Sequence, residues 1–238
     1  MSISQRQASQ KLASQKYATQ VIPSTLNVFT LFKPKMWLDA SDVVKDGDNK
    51  VSQWIDRSGN NFHALQSTAA DQPLWVDDEL NGQPVLQFDG SSDVMKIDFG
   101  QTFEQPGTLI FVHKMRETGN NQFIIDRLDS FHYLIFKGAD NVSMNAGSTL
   151  VSSLDVPYDY TLFTNIFNMG SARFYINGVL NSSGNVGSHT VNGFTLGARY
   201  NNVSFASVNF AEIIFYDRLL TTFERQTVEK YLMNKYAL

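Results

Sequence analysis

The sequence predicts an all-β domain, a two-sheet antiparallel jelly-roll sandwich that follows a polar N-terminal arm and closes with a C-terminal amphipathic helix. Three observations support this fold class. Short apolar segments alternate with clusters of Gly, Asn, Asp and Ser, as in strands joined by turns. Only the C-terminal segment has a convincing helical period. Asn177 and Gly178 separate two apolar segments, and both tolerate the positive φ of a two-residue type I′ hairpin turn.

The predicted strands occupy most of the chain after residue 33. Strands of this number and spacing close as a sandwich or jelly roll. Trp37 and Trp54 lie within them, which favours core positions over exposed sugar platforms. In chain order the strands cover residues 37–38, 51–55, 84–88, 94–99, 108–112, 123–126, 133–136, 160–167, 173–176, 194–196 and 210–216.

The last predicted strand, 210–216, contains Glu212 as its only charged residue. Such a run is typical of a central strand covered on both faces. Burial raises the pKa of a carboxyl group that has no partner. We therefore expect Glu212 to hold a salt bridge or a hydroxyl inside the sheet, with Arg173 or Arg199 as candidate partners, in preference to acting as a lone general acid.

A helix is predicted to begin after this strand. Thr221 and Glu224 have the spacing of a capping box, in which the two residues satisfy each other's free amide groups. Arg225 and Glu229 are predicted to form a modest ion pair on a separate helix face. The apolar face predicted to dock on the domain contains Phe223, Val228, Tyr231 and Leu232.

Residues 1–33 form the predicted arm, and one domain follows over 34–238. Residues 2–20 are rich in Ser, Gln and Ala and carry little apolar surface, so we expect them to order only against a partner. Pro23 and Pro34 bracket the apolar segment 26–32. That segment is predicted either to join the sandwich as an edge strand or to anchor the arm.

The composition excludes several classes of protein. The chain has 238 residues, no cysteine and a formal net charge of −4, so it has neither disulfides nor a basic footprint for nucleic acid. No window approaches the ~20 consecutive apolar residues of a transmembrane helix. Residues 1–20 contain no apolar core of a secretory signal peptide, so we expect any exposure outside a cell to arise by another route.

Six segments, in order and spacing, resemble the laminin-G-like, concanavalin A-like jelly-roll superfamily. The resemblance covers about residues 33–238 and implies the sandwich fold. It leaves function open, because the fold hosts lectins, glycan-active enzymes and structural modules. The segments are 36–42 (MWLDASD), 51–64 (VSQWIDRSGNNFHA), 81–90 (NGQPVLQFDG), 174–178 (FYING), 193–197 (GFTLG) and 211–220 (AEIIFYDRLL).

The polar parts of these segments are interpreted as elements of the fold. Asp56 and Ser58 are expected to cap backbone amides of a turn, with Gly59 or Asn60 at positive φ. The segment 88–90 (FDG) is interpreted in the same way.

No catalytic constellation is evident in the sequence. Glycan-cleaving members of the superfamily carry two carboxylates around the scissile bond, often as Glu-x-Asp-x-x-Glu along one strand. None of the glutamates has this spacing, and neither a Gly-x-Ser-x-Gly motif nor a Gly-rich phosphate loop occurs. We therefore predict a protein that is not an enzyme.

No cofactor is required by these motifs, and the metal content is left open. The four histidines, His63, His113, His132 and His189, lack the close spacing of a zinc site. The segment 46–49 (DGDN) offers oxygen atoms to Ca²⁺ but lacks the EF-hand pattern, so a solvated turn is favoured and a single weak calcium site is the alternative.

Sugar binding needs an exposed aromatic face with Asn, Asp or Arg nearby to hydrogen-bond hydroxyl groups. Arg199, Tyr200, Asn201 and Asn202 meet this composition in a predicted loop between strands. Trp75, beside two acidic residues, is the second candidate. In both places the alternative is a loop that packs its own ring.

These observations lead us to expect a non-enzymatic bacteriophage virion protein, a capsid or tail decoration or adhesin assembled in the host cytoplasm. Its arm would contact other virion proteins, and its domain would face outward and bind a host-surface glycan. The first alternative is a carbohydrate-active enzyme or its accessory carbohydrate-binding module at a cell surface. The second is a purely structural protein-protein interaction module. A homo-oligomer is left open, because no heptad pattern demands one.

Overall fold

The computed structural model describes residues 28–117, 121–131, 134–138, 141–155 and 158–238. The chain divides into two units, Met1–Phe32 and Lys33–Leu238. Of the first unit, only helix α1 (Val28–Phe32) lies within the described residues, and the predictions for residues 1–27 fall outside them. The prediction of an edge strand over 26–32 is wrong for residues 28–32, which are helical.

The second unit is an antiparallel β-sandwich with one long helix. Among the described residues its strands are β1 (Met36–Lys45), β2 (Val51–Asp56), β3 (Ala64–Leu65), β4 (Leu74–Leu80), β5 (Gln83–Asp89), β6 (Met95–Phe103), β7 (Gly107–Met115), β8 (Gln122–Arg127), β9 (Leu134–Lys137), β10 (Asn141–Asn145), β11 (Thr149–Asp155), β12 (Thr161–Phe167), β13 (Ala172–Ile176), β14 (Val179–Gly184), β15 (Val191–Leu196) and β16 (Ser207–Tyr216). Short 3₁₀ turns lie at Ala69–Asp71 and Met169–Ser171. Helix α2 spans Thr222–Tyr236.

The strands follow one hydrogen-bonded path in the order β11-β10-β9-β8-β15-β6-β3-β2-β1-β16-β7-β12-β13-β14, with β5 on β16 and β4 on β5. The first half of β1 pairs with β16 and the second half pairs with β2, so β1 joins two layers. We call the layer that contains β6, β8 and β15 sheet A, and the layer that contains β5, β7, β12 and β16 sheet B. The predicted antiparallel sandwich is confirmed.

Aromatic side chains from both sheets meet in the core. Phe215 of β16 stacks on Phe99 of β6 with ring centroids 5.6 Å apart. Phe194 of β15 contacts the same Phe215 ring edge-on at 5.4 Å. Burying one such ring stabilises the fold by roughly 1.5–3 kcal/mol, so these contacts hold the two layers together.

Strand β16 lies at the centre of sheet B, and all ten of its residues are buried. It pairs with β7 along one edge and with β5 and then β1 along the other. A bulge at Ala211 places Phe210 and Ile213 on the same inner face, although they are three residues apart. Glu212 and Ile214 consequently face outward.

Helix α2 covers part of the outer face of sheet B. The Thr221–Glu224 capping box at its start is confirmed, and Val228 and Leu232 are fully buried. Phe223 is 48% exposed, so its predicted place on the docked face is wrong. The predicted Arg225–Glu229 ion pair is confirmed. Both side chains are buried, and the Arg225 guanidinium lies 4.0 Å from the centre of a tyrosine ring of β13.

The predicted turns form as expected. Asn177 and Gly178 have φ of 48° and 76°, as the β13–β14 hairpin turn requires. Asp56 Oδ1 accepts the amides of Trp37 and Ser58 at 2.9 Å and 3.0 Å. Asp89 Oδ1 likewise accepts three amides of the turn after β5. Among the described residues no helix combines the length and the apolarity needed to cross a bilayer.

Candidate functional site

The loop between β15 and β16 is a closed turn at the rim of the sandwich. The Arg199 amide donates to the Val203 carbonyl at 3.0 Å, and the Asn202 amide donates to the Arg199 carbonyl at 2.8 Å. Asn202 has φ of 56°, a conformation that Asn tolerates better than most residues. Arg199, Tyr200, Asn201 and Asn202 therefore lie together, as the sequence predicts. We call these four residues the rim loop.

Two side chains of sheet A fix the backbone of Tyr200. Asp126 of β8 and Lys96 of β6 flank Thr195 of β15 on the outer face of that sheet. Asp126 is fully buried, and its Oδ2 atom accepts the Tyr200 amide at 3.0 Å. Lys96 Nζ donates to the Tyr200 carbonyl at 3.2 Å. A hydrogen bond contributes roughly 0.5–1.5 kcal/mol, and more where one group is charged, so these two bonds favour the observed conformation of the loop.

The side chains of the rim loop combine a held aromatic ring with exposed amides. The Arg199 guanidinium lies 5.4 Å from the centre of the Tyr200 ring and 5.5 Å from that of Phe123, within the range of cation–π contacts. Tyr200 is half-buried, while Asn201 and Asn202 are exposed. The loop therefore presents two exposed amide side chains beside a half-buried aromatic ring and a half-buried cation.

Trp75 has a different environment from the exposed loop that the sequence predicts. It lies within strand β4, pairs with Leu86 and packs against the core. Its indole N–H donates to the Ala40 carbonyl at 2.9 Å, and Lys45 Nζ lies 4.5 Å from the centre of the ring. The expectation of an exposed loop at Trp75 is wrong, because the β4–β5 pairing turns this ring inward.

Glu212 is the centre of a buried polar cluster beneath helix α2. Lys235 Nζ lies 2.7 Å from Glu212 Oε2 and 2.7 Å from Asp39 Oδ2. The Tyr236 hydroxyl and the Trp37 indole N–H donate to the same glutamate at 2.8 Å and 2.7 Å. The expected salt bridge and hydroxyl partner are confirmed. Neither Arg173 nor Arg199 is the partner, because the helix folds back over β16 and brings Lys235 to Glu212.

The two carboxyl groups of this cluster differ in pKa. Burial raises the pKa of Glu212. The charge of Lys235 acts to lower this pKa, and the nearby charge of Asp39 acts to raise it. Burial also acts to raise the pKa of Asp39, but Lys235 and the Ser41 amide and hydroxyl together hold it below its usual value. Because Lys235 lies between both carboxyl groups and α2 covers them, the cluster fastens the helix to the sheet.

Other acidic groups form turns. Asp46 Oδ1 accepts the amides of Asp48 and Lys50 at 3.0 Å and 2.8 Å, which organises the 46–49 turn. Within the described ranges no three His, Cys, Asp or Glu side chains are grouped as metal ligands. His63 Nδ1 accepts the Asp56 amide at 2.9 Å, and His132 lies outside those ranges.

A second polar surface, which no sequence pattern indicates, lies on the outer face of sheet B. We call it the Asn209 cluster, and it consists of Glu79, Gln87, Lys114, Arg116, Tyr160 and Asn209. These residues come from β4, β5, β7, β16 and the segments that adjoin β7 and β12. No local motif links them, so only the strand register reveals that they are neighbours.

Neither a protein-family model nor a curated protein sequence matches this chain. Solved structures share its fold, an antiparallel β-sandwich. The ligand-binding domain of botulinum neurotoxin serotype D, in complex with N-acetylneuraminic acid, superposes with a TM-score of 0.62 at 12% identity, over 86% of this chain and 53% of that chain. The binding domain of Paraclostridial Mosquitocidal Protein 1 gives 0.61 at 15%, over 82% and 53%.

A Trypanosoma rangeli sialidase in complex with a difluorinated nonulosonic acid is also similar. It has a TM-score of 0.58 at 13% identity, over 83% of this chain and 32% of that chain. This chain spans about half the length of the neurotoxin domains that it matches. At these identities the similarity establishes the sandwich fold.

Proposed function

We propose that this chain is a non-enzymatic glycan-binding protein, and that the rim loop is its glycan site. The observation that carries the proposal is the fixed conformation of Tyr200, whose backbone is bound on one side by Asp126 and on the other by Lys96. A binding loop that is ordered before the ligand arrives loses little entropy on binding.

The side chains of the rim loop suit a sugar. The amides of Asn201 and Asn202 donate to and accept from hydroxyl groups, and the half-buried Tyr200 ring offers apolar contact to a pyranose face. Arg199 adds a donor that the Tyr200 ring holds in place. A similar binding domain was solved with N-acetylneuraminic acid, so sialylated glycans are among the first to test.

The same proposal excludes hydrolysis by the Glu212 cluster. A glycosidase needs two carboxyl groups that face a sugar across an open groove. Asp39 and Glu212 instead both bind Lys235 and lie beneath helix α2. The carbohydrate-active enzyme, first among the alternatives, therefore has no support from this pair.

We further propose that the protein is part of a bacteriophage virion, as a capsid or tail decoration or adhesin exposed on the particle surface. The polar composition of residues 2–20 supports an arm that contacts other virion proteins. Deleting residues 1–33 tests this role. The truncated protein should fail to join particles, and full occupancy would contradict the anchoring role.

A matched pair of variants tests the glycan site. Tyr200→Ala should lower affinity for a bound oligosaccharide at least tenfold, because aromatic contact is lost at the centre of the loop. Phe223→Ala removes an exposed aromatic ring near the far end of β16 and should bind like the wild type. Equal affinity of Tyr200→Ala and wild type would remove the rim loop from the proposal.

A further inference from the structure

The Asn209 cluster is built on three adjacent strands of sheet B. Gln87 of β5 and Lys114 of β7 lie directly opposite Asn209 of β16, one on each side. The neighbours of Asn209 along the chain, Val208 and Phe210, belong to the core, so Asn209 faces outward. Its side chain is nevertheless only 2% exposed, because the surrounding side chains stand over it.

A chain of hydrogen bonds fixes the orientation of the Asn209 amide. Glu79 Oε1 and the Tyr160 hydroxyl are 3.2 Å apart, and burial, the largest effect, raises the pKa of Tyr160, so the hydroxyl stays protonated and donates to the carboxylate. The same hydroxyl accepts from Asn209 Nδ2 at 2.8 Å. The amide nitrogen is therefore on the Tyr160 side, and Oδ1 is the free end.

Asn209 Oδ1 is buried and has no hydrogen-bond partner among the described residues. An unsatisfied buried acceptor is destabilising, and most such groups in folded proteins are paired. A hydroxyl donor from a ligand would satisfy this oxygen. The side chains of Gln87 and Lys114, which lie opposite Asn209 in the sheet, are long and half-buried, so a change of rotamer in either would open a path to this oxygen.

Two cations of the Asn209 cluster come from β7 and the residue that follows it, and one of them, Lys114, lies opposite Asn209 in the sheet. Lys114 and Arg116 are two residues apart along β7 and its continuation, so they share the outer face. Neither forms an ion pair within the part of the chain that the structure describes. Lys114 Nζ lies 5.3 Å from the centre of the Tyr160 ring, and Arg116 Nη1 donates to the Phe88 carbonyl at 3.3 Å.

The one carboxylate of the cluster, Glu79, is engaged by Tyr160. The side chains of the cluster therefore carry two positive charges and one negative charge. This net positive charge favours an anionic group on the ligand. A hydroxyl-bearing ring with a carboxylate meets both requirements, since one hydroxyl reaches the amide oxygen while the carboxylate lies between the two cations.

We propose that the Asn209 cluster binds a sugar that carries a carboxylate, with a sugar hydroxyl on Asn209 Oδ1 and the carboxylate between Lys114 and Arg116. Tyr160 and Glu79 hold the amide in the orientation that receives the hydroxyl. This surface is on the outer face of sheet B, whereas the rim loop is anchored on sheet A. It goes beyond the glycan site proposed above and does not depend on it.

The test follows the side-chain amide signals of the full-length protein by ¹H–¹⁵N NMR during titration. The probes are methyl glucuronoside, N-acetylneuraminic acid, neutral methyl glucoside and acetate. The Asn209 signal should shift saturably with the two acidic sugars, and each should bind at least tenfold more tightly than methyl glucoside or acetate. Equal responses to acetate and acidic sugars would reduce the cluster to a simple anion site, and no shift with any probe would overturn the proposal.

Variants separate this surface from the rim loop. Lys114→Met should lower the affinity for methyl glucuronoside about tenfold, while Lys230→Met, at an exposed lysine of α2, should leave it unchanged. Both changes are at partly or fully exposed side chains, so folding is preserved. Tyr200→Ala should not alter the Asn209 titration. An affinity that Lys114→Met leaves unchanged, or that Tyr200→Ala abolishes, would refute the assignment.

Discussion

Lys235→Met should be the most informative change to the stability of the fold. The substitution keeps much of the aliphatic length of the side chain and removes the cation that lies 2.7 Å from Glu212 Oε2. Asp39 retains Arg57 Nη1 at 2.7 Å, so Glu212 is the group left without a charge partner. Glu212 is fully buried, which makes its loss of Lys235 costly.

The magnitude follows from the geometry and from protonation. Coulomb's law with an effective dielectric constant of about 20 gives an attraction of about 6 kcal/mol at this distance. In the variant, protonation of Glu212 limits the loss of stability. From the ordinary pKa of 4.5, protonation at pH 7 costs about 3.4 kcal/mol and at pH 5 about 0.7 kcal/mol. Because the pKa of Glu212 is already raised in the wild type, these costs are upper limits, and we expect Lys235→Met to lower the free energy of unfolding by up to about 3 kcal/mol at pH 7 and by no more than about 1 kcal/mol at pH 5.

The sign of the pH effect is fixed by the direction of the pKa shift. A carboxyl group whose pKa is raised in the folded state stabilises the fold below its unfolded pKa and loses that contribution as the pH rises through the folded value. Lys235→Met raises the pKa of Glu212 further, so the variant should lose stability more steeply than wild type above pH 5.

Urea unfolding at pH 5 and pH 7, followed by tryptophan fluorescence, to which the buried Trp54 contributes, measures both quantities. Lys230→Met is the matched control, since that lysine is exposed on the same helix and should change stability by less than about 0.5 kcal/mol. A loss below about 1 kcal/mol at pH 7, or a loss that is no smaller at pH 5, would refute the role of Lys235.

Three further changes test the framework by equilibrium unfolding. Burial lowers the pKa of His113 from 6.5 to about 3. Between pH 3 and pH 6.5 His113 is therefore protonated only in the unfolded state, and the free energy of unfolding falls as the pH falls. His113→Leu should reduce the slope of the free energy of unfolding against pH by up to about 1.4 kcal/mol per pH unit in this range. Gly197→Ala should destabilise the fold strongly, because Gly197 has φ of 76° and an added Cβ would overlap the Phe88 ring. Thr221→Ala should cost about 1 kcal/mol, because it removes the hydroxyl that accepts the Glu224 amide at 3.2 Å.

Each of these predictions has a result that contradicts it. An unchanged slope between pH 3 and pH 6.5 in His113→Leu would mean that His113 does not titrate on unfolding as described. Gly100→Ala is the control for backbone strain, since Gly100 has φ of 62° but no described atom lies within 4 Å of an added Cβ, and it should cost clearly less than Gly197→Ala. A neutral Thr221→Ala would show that the capping box contributes nothing to α2.

The fold was predictable where its signals are local. The capping box at Thr221 and the Asn177–Gly178 turn each depend on neighbouring residues, and both form as expected. Strand β4 was missed because Asp77, Asp78 and Glu79 make its sequence resemble a solvated loop, whereas pairing with β5 determines its conformation.

Long-range contacts account for most of the remaining errors. Arg225 and Glu229 form the predicted ion pair, but only the folded chain shows that the Tyr175 ring of β13 lies against Arg225. The partner of Glu212 is Lys235, which only the return of the helix over the sheet brings near. Hydrophobic periodicity cannot show which element will cover a given face.

The same distinction applies to the two candidate surfaces. The rim loop is contiguous in sequence, so an aromatic ring flanked by Arg199 and two Asn residues could be recognised before folding. The Asn209 cluster draws on several strands, and the unsatisfied Asn209 oxygen is visible only in three dimensions. At Trp75 the sequence suggested an exposed ring that could bind a sugar, but the strand that contains Trp75 packs this ring against the core.

Binding to glycans is the central claim, and one screen tests it most directly. The full-length protein, displayed as a multimer to gain avidity, is applied to a glycan array and to host-cell surfaces, once with calcium and once with chelator. We predict saturable binding to particular glycans, with loss on chelation only if the 46–49 turn or another site holds calcium. No binding by a folded multimer, to any glycan or cell surface, would contradict the claim and favour a purely structural role.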